Sequence, residues 1–125
     1  MEACYNHVYM TNMKIVKEGI SLKELRGMAL EQFGNVIKAD IDVVKGIMAV
    51  GGELHVDMQV LLVEKEGSSG ENVWGVNLYI DKEGEDFLEF DSMINLKPLH
   101  GNRTRYVEDE STRQKIREIV KHQII

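Results

Sequence analysis

Between Ser21 and Phe33 the apolar residues recur at helical spacing. Leu22, Leu25, Ala29 and Phe33 share one face, and Met28 and Leu30 widen it. Ser21 followed by Glu24 is a capping box, and Ile20 is placed to staple against Leu25, so the pattern predicts a helix that Gly34-Asn35 stops. Gly27 interrupts this helix at a cost of about 1 kcal/mol relative to alanine, which marks an expected close approach to another backbone. A second stripe, Ile116, Ile119, Val120 and Ile124, predicts a last helix from Asp109 to His122. Asp109 caps it, Glu110 favours its positive end, and Lys121 and His122 favour its negative end.

Elsewhere the period is two. From Val36 to Val44, Ile37, Ala39, Ile41 and Val43 alternate with Lys38, Asp40 and Asp42, which predicts a strand with one wet face. Lys45-Gly46 is a turn, and Ile47 to Val50 returns as a more fully buried strand before a bend at Gly51-Gly52. Glu53 to Val63 also alternates, with Leu54, Val56, Met58, Val60 and Leu62 inward and His55, Asp57 and Gln59 outward. A strand is expected there, with a short helix capped by Asp57 as the alternative. Trp74, Val76, Leu78 and Ile80 mark a strand from Val73 to Ile80. Leu88, Phe90, Ile94 and Leu96 mark another, which loses its pattern at Pro98. MKIV from Met13 reads as a start feeding a first strand, and the dozen residues before it show no clean periodicity. Two helices and five or six mostly antiparallel strands make an α+β domain over 13–125, with both helices packed on one sheet face. The other face is then left for solvent, a partner subunit or a ligand. Residues 1–12, with Cys4 and His7, are expected to be a loosely ordered extension, with Met10 and Met13 both plausible starts.

Composition changes this picture little. The 125 residues suffice for one core, and a hydrophobic share of 43% with 29% charged is ordinary globular usage. No stretch approaches the ~20 apolar residues of a membrane span, and the N-terminus lacks the basic region of a signal peptide. A lone Cys4 gives neither an intramolecular disulfide nor a zinc-binding pair, and a cytoplasmic location is the default. The net charge is −6, and its distribution matters more. From Glu53 to Asp91 there are eleven Asp/Glu against two Lys, and from Lys97 to Ile125 seven Lys/Arg against four Asp/Glu. The acidic middle repels a phosphate backbone, so a nucleic acid is not the favoured partner.

The chemistry-bearing residues concentrate in Phe87 to Asp109. His100, Asn102, Arg103 and Arg105 follow Pro98 with no acid before Glu108, and guanidinium forks suit a carboxylate or phosphate. This loop is therefore the candidate anion-binding site, for an anionic small molecule or a protein carboxylate. The competing reading makes the arginines structural pins against Glu89, Asp91, Glu108 or Asp109. His55 and Asp57, sharing a strand face, could join Asp91 around a divalent metal, although polar residues at period two are also what any wet sheet face requires. Trp74 reads as core, and Gly51-Gly52 lacks the spacing of a phosphate loop. Neither a serine or cysteine nucleophile motif nor a zinc-protease motif is present.

The segments GIMAVGGELHVD, WGVNLY, LEFDSMINLKP, GNR and VED before a terminal helix resemble a family of small prokaryotic proteins known as a domain of unknown function. The resemblance covers Met13 to Ile125 and implies no activity, cofactor or site residue. The turn GSSGEN departs from the pattern of Gln and Asp before Trp that the family shows. Residues and resemblance together give the expectation of a binding or interaction module, a homodimer being one form of it. The alternative is a metal-assisted hydrolase of a phosphate-containing substrate, with His55, Asp57 and Asp91 on the ion and Arg103 or Arg105 on the phosphoryl oxygens.

Overall fold

The computed structural model describes residues 13–125. The extension expected over 1–12 lies outside the described residues. The chain forms β1 (Lys14–Val16), α1 (Leu22–Gln32), β2 (Val36–Asp42), β3 (Ile47–Val50), α2 (His55–Glu66), β4 (Val73–Tyr79), β5 (Leu88–Glu89) and α3 (Glu110–Gln123). The five strands make one antiparallel sheet in the order β1-β3-β2-β4-β5.

The caps explain where the outer helices begin. Ser21 Oγ accepts from the Glu24 N–H at 3.0 Å, while the Glu24 carboxylate goes to Lys14 Nζ at 2.7 Å instead of closing the capping box. Asp109 accepts from the Thr112 N–H at 2.9 Å and starts α3. The alternation of β2, β3 and β4 then sorts two cores. Ile37, Ala39, Ile41, Met48, Val50, Val76 and Leu78 face Leu25 and Ala29 of α1 and Ile116 and Val120 of α3. Ile47, Ala49 and Val73 point the other way and pack with Met58 and Leu62 of α2.

Several expectations are corrected by this arrangement. Glu53 to Val63 is not a strand: His55–Glu66 is a helix, ended by Gly67 in the left-handed region at φ 70°. Its apolar residues also fit alternation because the helix is apolar on two sides, a pattern that periodicity alone cannot separate from a strand. Three helices, not two, therefore pack on the sheet, and they cover both faces. The strand expected from Leu88 onward is also cut to two residues, after which the chain follows short helical turns at Met93–Asn95 and Pro98–His100. Gly27, read as a point of close approach, faces open space. Among the described residues no helix is long and apolar enough to cross a membrane.

Candidate functional site

Asp40 sits in the middle of β2, on the face predicted to be wet, and is 0% exposed. Its neighbours in register are Ala49 on β3 and Gly75 on β4, the two smallest side chains that could flank it. The space they leave is filled by α2. A methyl group on Gly75 would come within 2.6 Å of Ser92 Oγ and 2.9 Å of His55 Nδ1, so only glycine fits beneath these two side chains.

His55, the first residue of α2, turns its ring into this space. Its Nδ1 lies 2.8 Å from Asp40 Oδ1 and its Nε2 lies 3.2 Å from Asn77 Oδ1. Asn77 Nδ2 donates onward to Glu89 Oε1 at 2.9 Å and to the Asp91 carbonyl at 3.3 Å, and Tyr79 Oη donates to the same Glu89 oxygen at 2.9 Å. A connected polar chain thus runs from a fully buried carboxylate to the exposed β5 edge. Burial pushes the Asp40 carboxyl up to about 7, against the opposing influence of His55 and Lys97. Asp40 Oδ2 has no hydrogen-bond partner among the described residues, which leaves its charge poorly compensated. Lys97 is itself held below its ordinary value by burial. It donates to the carbonyls of Gly70 and Ile94 and lies 4.8 Å from the centre of the Trp74 ring.

The candidate metal residues are placed apart in function. His55 is engaged with Asp40, Asp91 pairs with Arg105, and Asp57 stands on the first turn of a helix. Residues two apart on a helix diverge by about 200°, so His55 and Asp57 do not share the face that a strand would have given them. Among the described residues no group of three or more His, Cys, Asp or Glu is arranged to hold a metal ion.

The Pro98–Val107 loop is organised by its own polar groups. Asn102 is buried, donates to the carbonyls of Asn95, Thr104 and Tyr106, and accepts from the Glu108 N–H. Arg105 makes two contacts to the Asp91 carboxylate, at 2.7 and 3.3 Å, and His100 Nε2 lies 3.3 Å from Glu71. Arg103 is exposed, and its backbone N–H donates to Glu108 Oε2 at 2.8 Å. Glu108 and Asp109 are both held below the ordinary carboxylate range. For Glu108 the Thr104 hydroxyl and the Arg103 amide are the main causes, and for Asp109 the hydroxyls of Ser111 and Thr112 and the Thr112 amide.

The other side of α2 has a different character. Val56, Val60 and Val63 are 50%, 37% and 42% exposed, and their i, i+4, i+7 spacing puts them in one outward stripe. Leu54, Met93 and Leu96 are also exposed, on the residue before α2 and on the segment that packs beside it. Sequence reasoning missed both Asp40 and this stripe. The small residues opposite Asp40 were the one available sign that something would be packed over it.

A five-stranded antiparallel sheet with three helices defines a small α+β domain. Over residues 14–123 the chain matches the family described as Protein of unknown function (DUF5674), and it belongs to that family. No curated protein and no solved structure matches it.

Proposed function

We propose that this domain is an interaction module that pairs with a second copy of itself through the outer face of α2. The observation that carries the reading is a helix apolar on both sides. Met58, Leu61 and Leu62 are buried inward, while Val56, Val60 and Val63 form an equally regular stripe outward. Surface helices of small domains ordinarily turn charge outward, and contiguous apolar patches are where partners sit. Leu54, Met93 and Leu96 add exposed apolar surface on flanking segments, toward the roughly 800 Å² per partner of a standard interface.

The stripe is also self-complementary. Positions 56, 60 and 63 are nearly symmetric about Val60. An antiparallel copy brings Val60 onto its own equivalent and Val56 toward Val63, as a twofold interface requires. Each chain carries −6, so long-range repulsion opposes pairing and salt relieves it.

Sedimentation of the wild type and of Val60→Glu, at low and moderate salt, tests this. The expected result is a dimer that salt strengthens and the substitution abolishes, with the helical signal unchanged because Val60 is not a core residue. A wild type that stays monomeric at high micromolar concentration and moderate salt would overturn it. The finer expectation of an anion site in the Pro98–Val107 loop rests mainly on Arg103, because Arg105 and Asn102 are engaged within the fold.

A further inference from the structure

We propose that the Asp40–His55 pair is a proton-held latch that fastens the first turn of α2 to the sheet and releases it as pH rises. It rests on geometry that stands apart from the pairing surface. It also gives that surface a control, because α2 carries both.

The latch follows from hydrogen-bond accounting. Asn77 is oriented by its donor side, since Nδ2 faces the Glu89 carboxylate and the Asp91 carbonyl, both of which only accept. Its Oδ1 therefore faces His55 Nε2, and that ring nitrogen must carry a hydrogen. The bond between His55 Nδ1 and Asp40 Oδ1 then holds one proton between the two atoms. Carboxylic acid with neutral ring and carboxylate with imidazolium are the two descriptions, and in both the pair is neutral.

Removing that proton leaves no satisfactory arrangement. With the hydrogen still on Nε2, the lone pair of Nδ1 faces a carboxylate. Moving the hydrogen to Nδ1 restores that bond and turns the lone pair of Nε2 against Asn77 Oδ1. Rotating the Asn77 amide would mend this, but it would aim Oδ1 at the Glu89 carboxylate and the Asp91 carbonyl. Each adjustment passes the clash one residue along the chain.

Just before the helix, Lys38 Nζ of β2 donates to the Glu53 carbonyl at 2.9 Å. Leu54 occupies the cap position and supplies no side-chain hydrogen bond, so the His55 ring is a principal polar tie between this turn and the sheet. The groups facing Asp40 are few. His55 comes from α2 and Lys97 from the loop after β5, Asn77 from β4 lies one bond beyond the ring, and Asp42 on the same strand face is engaged by Ser68 Oγ at 2.6 Å. Lys97 is the cation among them. Its charge favours ionised Asp40 and so sets where on the pH scale the latch opens. Burial of Asp40 moves that point up the pH scale.

Amide exchange followed by NMR between about pH 5 and about pH 8.5, corrected for intrinsic rates, reads the latch directly. Wild type, Asp40→Asn and Lys97→Met are compared, each also carrying Val60→Glu so that self-association plays no part. In the wild type the opening constant of α2 amides should be level below about pH 6.5, where a freed imidazole keeps the proton, then rise by up to about tenfold per pH unit until the pair loses its proton, and then level off. Protection there should be lower than at Val76 and Leu78 in β4. The amide introduced by Asp40→Asn donates to Nδ1 as the protonated acid does, so above about pH 6.5 the slope should vanish in that variant. In Lys97→Met the levelling should move to higher pH. His55 ring ¹⁵N shifts in the wild type should show Nε2 protonated below the transition, which needs no variant. An absent slope, a slope that survives Asp40→Asn, or α2 amides as protected as those of β4 at all pH values would each overturn the latch. Pairing stands or falls separately, on the sedimentation of proteins without Val60→Glu.

Discussion

Asn95 gives Gly75, through its side chain, the two hydrogen bonds that a neighbouring strand would have made. Oδ1 accepts from the Gly75 N–H at 2.8 Å and Nδ2 donates to the Gly75 carbonyl at 3.0 Å. The substitution is needed because β5 pairs with β4 only at Asn77 and Leu78 and then leaves the edge. Nδ2 also donates to the Arg105 carbonyl at 2.9 Å, tying the loop to the same point. Asn95 is completely buried, so water cannot replace these bonds. Asn95→Asp should therefore cost about 3 kcal/mol, since a carboxylate would face two carbonyl oxygens in place of a donor. Urea unfolding monitored by Trp74 fluorescence would measure it, and a loss below about 1 kcal/mol would mean that the edge is held by other contacts.

Two glycines should respond in opposite senses. Gly27 is exposed on α1 with open space around it, so Gly27→Ala should stabilise the domain by about 0.5 to 1 kcal/mol through helix propensity and reduced freedom of the unfolded chain. Gly75→Ala must displace Ser92 or His55 and should cost about 2 kcal/mol or more. Thermal melts of the two variants beside the wild type settle both signs.

This pair of glycines also shows where the sequence is legible. A close approach is rightly sought at a glycine, but the helix offers Gly27 because its cost there is visible. Gly75 in VWGVNLY looks like an ordinary strand residue. Elements with one buried face can be read: α1 from Ser21 and its stripe, α3 from Asp109 and Ile116, and the β2–β3 hairpin from its alternation. α2 cannot, because Val56, Val60 and Val63 on its outer side fill the gaps left by Met58, Leu61 and Leu62. Once α2 is taken for a strand, no layer remains to cover Asp40, and its burial disappears from view. His55 stands out in the sequence, yet its partner Asp40 is one that only the topology brings near, whereas the Arg105–Asp91 pair is among the pins that the sequence offers.

In the Pro98–Val107 loop the amide should matter more to folding than the guanidinium. Asn102 serves three carbonyls and one N–H from a buried position, so Asn102→Ala should cost about 3 kcal/mol. The Arg105–Asp91 pair is solvent-exposed, and such pairs are weak and screened by salt. Arg105→Ala should shift the unfolding midpoint far less than Asn102→Ala, and the shift should shrink as salt is added. A loss for Arg105→Ala that matches Asn102→Ala and ignores salt would make the arginine a structural pin of the first rank.

Global stability should fall as pH rises above about 6.5, the reverse of the trend that surface carboxylates impose. The folded Asp40–His55 pair holds one shared proton, and an imidazole in the unfolded chain also keeps one up to about pH 6.5, so only above that value does the folded protein hold a proton that the unfolded chain has released. The pair's contribution is complete below the unfolded value and is lost as pH climbs through the folded one. Glu108, Asp109 and Glu110 are shifted the other way, and their contributions are present above the ordinary carboxylate range and lost on acidification. The two effects occupy different windows, which places the stability maximum near the acid side of neutrality. Asp40→Asn removes only the descending limb, because asparagine has no proton to lose. Urea midpoints measured above about pH 6.5 should fall with pH in the wild type and stay level in Asp40→Asn. A wild type whose stability stays level between about pH 6.5 and about pH 8.5 would show that the folded pair holds its proton no more tightly than a free imidazole does.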